Sequence, residues 1–146
     1  MGFCYYGYMK KQWIIGIDEV GRGPLAGPVY VCATAIVHSD IKKVDWQGLA
    51  DSKKMTPRAR ALWFQKAKDL KKSKVIRFAL ASKSAQQIDR LGITRCISDC
   101  ITETLRYLDI QPSEALILLD GGLHAPEVYK HQKTIIRGDQ TEKVIS

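Results

Sequence analysis

The sequence IIGIDEVGRGPLAGPV, residues 14–29, decides the fold. An apolar run carries two adjacent carboxylates to its end, and a glycine-rich turn with one arginine separates it from a second apolar run. Residues 13–20 are β-rich and almost continuously apolar, which is typical of a strand buried on both faces at the centre of a sheet. The turn is short, so the second strand, residues 29–37, is predicted to return antiparallel beside the first.

Periodicity predicts three more strands and three helices further along the chain. The strands are expected at residues 75–81, 115–119 and 133–137, and the helices at residues 58–72, 85–91 and 93–108. The first three strands should form an antiparallel meander. With the later helices and strands, this order indicates a mixed α/β sheet with helices on its faces.

The first helix has a clear start signal, because Thr56 is an N-cap residue and Pro57 occupies the first helical position. The polar stretch before it is expected to be a loop with a short helical turn at residues 46–49. The first helix is basic and amphipathic, and its sheet-facing side is predicted to contain Leu62, Trp63, Ala67 and Leu70. In the third helix the apolar residues at helical spacing are Ile97, Ile101, Leu105 and Leu108.

The charge balance points to a polyanionic partner. Lys and Arg number 23 against 15 Asp and Glu, which gives a net charge of +8 and a sequence pI of about 9.4. Nucleic acid is the first candidate, and on charge alone a solubilising surface without a partner is equally consistent. Hydrophobic residues make up 45% and charged residues 26%, so neither a disordered chain nor a membrane protein is indicated.

Cysteine and histidine spacing excludes a zinc site, because no Cys-x-x-Cys pair is present and the histidines are scattered. The residues concerned are Cys4, Cys32, Cys96, Cys100, His38, His124 and His131. Small buried thiols in a reducing, cytoplasmic compartment fit this pattern. No run approaches the ~18 apolar residues of a spanning helix. Residues 1–8 are interpreted as an N-terminal extension and residues 9–146 as one domain, incomplete at its C-terminus.

Three carboxylates lie at predicted strand ends. Asp18 and Glu19 end the first strand, and Asp120 comes after a second buried strand and before a glycine turn. Neighbouring side chains of a regular strand point to opposite faces, so the first two can converge only if the backbone bends there, which Gly21 and Gly23 would permit. Clustered carboxylates suit Mg²⁺ or Mn²⁺ and phosphoryl-transfer chemistry. Taken singly, each is more often ordinary turn chemistry.

The turn at residues 21–24 is not a nucleotide-triphosphate loop. A Walker-type loop ends in Gly-Lys-Ser/Thr, and that ending is absent here. A Walker-type NTPase is therefore excluded.

Five segments together resemble the ribonuclease HII family, in the family's order and approximate spacing. They are GIDEVGRGPLAGPV at residues 16–29, DSKKMT at 51–56, IDRLGI at 88–93, LLDG at 118–121 and RGD at 137–139. The resemblance implies a ribonuclease H-like fold, a five-stranded mixed sheet in which three antiparallel strands precede parallel ones, with helices on both faces and C-terminal helices missing. It also implies two-metal cleavage, with Mg²⁺ or Mn²⁺, of RNA–DNA hybrids and of duplex DNA at single embedded ribonucleotides.

The resemblance assigns roles to individual residues. Asp18, Glu19 and Asp120 correspond to three of the family's four metal-binding, catalytic carboxylates. The fourth carboxylate and a junction-stacking tyrosine would lie beyond Ser146. Asp139 matches the family's Gly-Asp turn, a different position, and is not taken as a substitute for the fourth carboxylate.

The remaining implied contacts concern the substrate. Gly21, Arg22 and Gly23 resemble the loop that reads the 2′-hydroxyl at an RNA–DNA junction, and the arginine favours ribonuclease HII over ribonuclease HIII. Lys53 and Lys54 resemble phosphate contacts, with a solvated lysine pair as the alternative. Gly122 departs from the asparagine that the family often has there.

Two competing interpretations stay open at this point. The chain could bind hybrids without cutting them, because the fourth carboxylate is missing, or it could be a basic scaffold for protein partners. The first predicts salt-sensitive nucleic-acid binding without cleavage, and the second predicts no nucleic-acid affinity. The enzyme is the leading interpretation, and a monomer is expected.

Overall fold

The computed structural model describes residues 12–23, 27–50, 53–136 and 138–145, the last range without the side chains of residues 139 and 140. The interpretation of residues 1–8 as an extension lies outside these ranges. The sheet has five strands: β1 Trp13–Val20, β2 Val29–Val37, β3 Ile76–Lys83, β4 Ala115–Asp120 and β5 Gln132–Ile135.

The strand order is β3-β2-β1-β4-β5, which places β1 at the centre. β1 runs antiparallel to β2 and β2 antiparallel to β3, so the predicted meander is confirmed. On the other side, β1 pairs with β4 and β4 with β5, both in parallel. The mixed sheet predicted from the sequence is therefore present, with its two most apolar strands side by side.

The described residues form four α-helices: α1 Pro57–Lys72, α2 Ala85–Leu91, α3 Ile93–Leu108 and α4 Gly138–Thr141. Within the same ranges, two 3₁₀ helices occupy His38–Lys43 and Pro112–Glu114. The short turn predicted at residues 46–49 is present, because the Leu49 N–H donates to the Trp46 carbonyl at 3.1 Å. The 3₁₀ helix directly after β2 was not predicted. None of the helices described here is long and apolar enough to cross a membrane.

The main core lies between α3 and the sheet. The four apolar residues predicted for its inner side are all buried: Ile97, Ile101, Leu105 and Leu108. The bounds of α2 and α3 match the prediction because local signals define them. Ser84 and Gln87 form a capping box at the start of α2. Asp109, in the left-handed conformation at φ 52°, ends α3.

The second core lies on the opposite face, under α1. Ala67 and Leu70 pack there as predicted, but α1 has no fully buried residue. The prediction for Leu62 is wrong, since this side chain is 64% exposed. Positions 63, 67 and 70 lie along one helical stripe, and position 62 lies about 100° around the helix from it.

Trp63 faces the segment that leads into α1. Its ring stacks on Trp46, with centroids 6.4 Å apart and planes at 9°. The Trp46 indole N–H also donates to the Ile41 carbonyl at 3.0 Å. This stack fixes the segment before α1 against the helix.

Gly16 allows the C-terminal turn, residues 143–145, to approach β1 very closely. A Cβ built on Gly16 would lie 2.2 Å from the Val144 carbonyl oxygen and 2.8 Å from the Ile145 nitrogen. These are backbone atoms, which cannot rotate away as a side chain could. The contact joins the second core to the end of the described chain.

Gly16→Ala is therefore expected to displace this turn and to lower the free energy of unfolding by about 1–3 kcal/mol, the usual cost of overpacking. Urea unfolding measures the change. Gly122→Ala is the matched control, because nothing lies within 4 Å of a Cβ at that position. If the two variants had equal free energies of unfolding, the close approach of residues 144 and 145 to Gly16 would be refuted.

A second prediction concerns Cys100, a buried residue of α3. Burial raises the pKa of its thiol from 9.0 to about 11. The thiol of the unfolded chain ionises first as pH rises, so its contribution to stability is complete below pH 9 and is lost between there and about 11. We expect unfolding free energy to fall over this range, and less steeply in Cys100→Ala. Urea unfolding at several pH values measures this free energy in both proteins. If it fell equally with pH in the wild type and in Cys100→Ala, the prediction would be wrong.

Candidate active site

Asp18 and Asp120 come together at the ends of the two central parallel strands. The β1–β4 register pairs Gly16 with Leu118 and Ile17 with Leu119. One further step along both strands brings Asp18 beside Asp120. Since side chains alternate, both carboxylates lie on the face that carries Gly16 and Leu118, the face of the second core.

A backbone N–H holds each of these carboxylates. Asp18 Oδ1 accepts from the Glu19 nitrogen at 2.7 Å, and Asp120 Oδ1 accepts from the Gly138 nitrogen at 2.6 Å. Both residues are half-buried. Short hydrogen bonds to a carboxylate restrict its rotation, so the two groups are oriented before any ligand arrives.

Glu19 is directed away from this pair. The β1–β2 ladder continues without interruption to Val20 opposite Tyr30, so the backbone bend that would let Asp18 and Glu19 converge is not present. Gly21 and Gly23 come after the ladder ends at Val20, so a bend there does not change the direction of the Glu19 side chain. By alternation Glu19 is on the face of Val31, a residue of the main core.

The Glu19 side chain is only 14% exposed, and its Oε1 lies 3.5 Å from an Arg22 guanidinium nitrogen. Arg22 itself is 55% exposed. An ion pair so exposed on one side contributes little stability. It does connect the carboxylate of β1 to the turn after that strand.

Gly21 is the residue on which the turn after β1 depends. It has φ +98°, and an added Cβ would lie 2.4 Å from the Pro28 carbonyl oxygen. Gly23 has nothing within 4 Å of the corresponding position. The two glycines of the predicted loop thus differ, since one is required by the backbone and the other faces open space.

A cavity of about 200 Å³ adjoins the end of β1, and Asp18, Glu19 and Cys32 are part of its lining. Cys32 pairs with Asp18 across the β1–β2 ladder. Burial is the main cause that raises the pKa of its thiol, and the charge of Asp18 adds to the increase. The hairpin register could have revealed Cys32 from the sequence.

Val144 and Ile145 also line this cavity, and no pattern in the sequence signalled them. Lys53 and Lys54 are exposed in the turn before α1. Asp51, Ser52 and Arg137 lie outside the described residues, as does the Asp139 side chain.

The donor chemistry of the pair suits a hard divalent cation, since carboxylate oxygens are the ligands that Mg²⁺ and Mn²⁺ prefer. Among the side chains that the structure describes, no group of three Asp, Glu, His or Cys is close enough to form a metal site. Asp18 and Asp120 therefore fit such a cation as two ligands, and Glu19 is on the other face.

Comparisons with known proteins agree on one family. Residues 15–146 match the family model described as Ribonuclease HII. The chain is 37% identical over 134 residues to a Ribonuclease HII from Nitrosomonas europaea, covering 91% of this chain and 57% of that protein. It spans 57% to 62% of the length of three curated relatives with that name.

Two solved structures show the same fold. The ribonuclease H2 from Pyrococcus horikoshii superposes with a TM-score of 0.71 at 21% identity, covering 92% of this chain and 67% of that one. Bst-RNase HIII in complex with Mn²⁺ gives a TM-score of 0.64 at 21% identity, covering 87% of this chain and 46% of that one. The mixed five-stranded sheet is thus shared with ribonucleases H2 and HIII.

Proposed function

Since the chain belongs to the ribonuclease HII family, we propose that it is an endoribonuclease that hydrolyses the RNA strand of RNA–DNA hybrids and cuts at single ribonucleotides in duplex DNA. One observation carries the proposal. Asp18 and Asp120 share one face at the ends of two adjacent central strands, and the Gly21–Gly23 turn follows the strand that carries Asp18. Catalytic carboxylates and a sugar-reading loop would then adjoin one scissile bond.

In this proposal Asp18, Asp120 and Glu19 are the catalytic carboxylates. Asp18 and Asp120 would bind Mg²⁺ or Mn²⁺ on their shared face, and Glu19, which lines the same cavity as Asp18, would reach the cation from the end of β1. Bound divalent cations supply charge stabilisation at the attacking and leaving oxygens of the phosphate. The protein's part is to orient the carboxylates, which the N–H groups of Glu19 and Gly138 do. The Mn²⁺ complex of Bst-RNase HIII, a protein of the same fold, supports the choice of cation.

The Gly21–Gly23 turn is proposed to select the sugar. Only the 2′-hydroxyl distinguishes RNA from DNA at a junction, and this group both donates and accepts hydrogen bonds. A backbone without a Cβ can approach it closely, and Gly23 faces open space. Arg22, a half-exposed residue of this turn, is proposed to contact a phosphate of the substrate.

Lys53 and Lys54 are proposed to contact the duplex backbone further from the cut. Both are exposed, and the chain as a whole carries a net charge of +8. Phosphate contacts of this kind position a duplex without reading its sequence. Hybrid or ribonucleotide-containing duplex is thus the proposed partner, with a monomeric, cytoplasmic enzyme as the accompanying prediction.

The test is cleavage of a DNA duplex that contains one ribonucleotide, by the full-length gene product with Mg²⁺ or Mn²⁺. We expect a single cut that leaves a 3′-hydroxyl end, and no cut when EDTA is added. An all-DNA duplex of the same sequence is the control. Absence of cleavage with either cation would overturn the proposal.

A second candidate is a hybrid-binding protein without catalysis. It is favoured by one observation, that only two of the three carboxylates share a face among the residues described. Steep salt dependence of hybrid binding without cleavage would support it. Loss of nucleic-acid affinity altogether would instead favour a scaffold for protein partners.

A further inference from the structure

Gly138 makes a contact with one of the proposed catalytic carboxylates. Its backbone N–H donates to Asp120 Oδ1 at 2.6 Å, from a position 18 residues later in the chain. Asp120 is also held through its backbone, because the next N–H, that of Gly121, donates to the Ile135 carbonyl at 3.1 Å. One oxygen of the carboxylate is therefore bound at the start of α4, and the backbone after Asp120 is joined to β5.

The position of Gly138 is itself fixed by hydrogen bonds further along the chain. Its carbonyl accepts from the Glu142 nitrogen at 2.8 Å, and the Glu142 carbonyl accepts from the Ile145 nitrogen at 2.9 Å. Val144 then seats against Gly16 of β1, two residues before Asp18. Residues 138–145 thus form a strap that contacts both strands that carry the carboxylate pair.

The strap leaves little room for a side chain at position 138. A Cβ there would lie 2.7 Å from Ile145 Cδ1 and 3.4 Å from Asp120 Oδ1. Alanine would therefore have to displace the buried Ile145 side chain or shift the strap together with its N–H. Glycine is favoured here for space, since its φ is not in the left-handed region.

We propose that Gly138 is a positioning residue for Asp120. Its N–H occupies Oδ1 and thereby sets the orientation in which Oδ2 meets a divalent cation beside Asp18. The inference rests on the proposed function, because it assumes that Asp120 binds a cation. The proposed reaction gives no role to the Gly-Asp turn at residues 138–139, and the positioning of Asp120 would be its role.

The first measurement is Mn²⁺ affinity by titration calorimetry, which needs no turnover. In Gly138→Ala we expect Mn²⁺ to bind about tenfold more weakly, the usual effect of losing a partner that orients a metal ligand. Ile145→Val removes Cδ1, the atom that the new Cβ would meet. The double variant should therefore recover most of the affinity. Gly122→Ala, where a Cβ meets nothing within 4 Å, is the control and should match the wild type.

A second pair of variants tests the N–H group, which proline replaces with a ring carbon. In the Ile145→Val background, Gly138→Pro lacks the donor, whereas Gly138→Ala keeps it, and proline is tolerated at the first position of a helix. We expect the proline variant to bind Mn²⁺ at least about tenfold more weakly than the alanine variant, with thermal unfolding recorded for both.

The outcomes separate this inference from the function on which it rests. If the wild type binds Mn²⁺, Asp120→Asn removes that binding, and Gly138→Ala still binds as the wild type does, the positioning role is wrong and the function stands. Equal affinity of the proline and alanine variants would also overturn the role of the N–H. If Asp120→Asn binds Mn²⁺ normally, the assignment of Asp120 fails, and the inference fails with it.

Discussion

Asp18→Asn and Asp120→Asn are each expected to lower the cleavage rate at a single ribonucleotide at least about a hundredfold, as loss of a metal-binding charge would require. The fold should survive both changes. Asparagine retains an oxygen that can accept the Glu19 N–H in one case and the Gly138 N–H in the other. Single-turnover cleavage measures the rate, and thermal unfolding verifies the fold.

The matched control is Asp109→Asn. Asp109 is exposed, lies at the end of α3, and has the left-handed backbone that asparagine tolerates. We expect it to keep full activity. Wild-type activity in Asp18→Asn would remove that residue from the site, and wild-type activity in both variants would favour the non-catalytic interpretation.

Gly21→Ala is expected to have the next largest effect, because it damages the turn itself. The positive φ disfavours any residue with a Cβ, and the new atom would lie 2.4 Å from the Pro28 carbonyl. We expect the free energy of unfolding to fall by about 1–3 kcal/mol. Cleavage at a single ribonucleotide should fall at least about tenfold, since near-attack geometry is lost with small displacements.

Gly23→Ala separates the two consequences. A Cβ at position 23 meets nothing within 4 Å, so the stability of the protein should not change. Its cleavage of single-ribonucleotide duplex should nevertheless fall, because the added methyl group would intrude where the 2′-hydroxyl is expected to lie. Full activity of Gly23→Ala would show that this part of the turn does not contact the sugar.

The sequence was sufficient for the strands and for α3 because their signals are local. Residues 13–20 form one continuous apolar run, and the short turn after them permits only an antiparallel neighbour. The capping box at Ser84 and the stripe from Ile97 to Leu108 likewise depend on near neighbours. Asp120 could be placed beside Asp18 once both were assigned to central strands.

The errors share a cause, which is dependence on distant parts of the chain. Nothing local shows that β1 stays regular through Glu19; that depends on its ladder with β2. Leu62 was assigned to the buried side because α1 alone does not define which stripe meets the sheet. Val144 and Gly16 are in contact although they are far apart in the chain, and no local sequence pattern predicts such a contact.

The stack of Trp46 on Trp63 makes the protein optically informative. The chain has three tryptophans, and the rings of these two are parallel within 9° at a centroid distance of 6.4 Å, so we expect their ultraviolet transitions to interact. The Lys66 ammonium lies 4.4 Å from the Trp63 ring centroid and responds to the same environment. The segment that carries Trp46 leads towards Lys53 and Lys54. Docking of a duplex there should change the tryptophan circular dichroism, which provides a label-free signal of binding separate from cleavage.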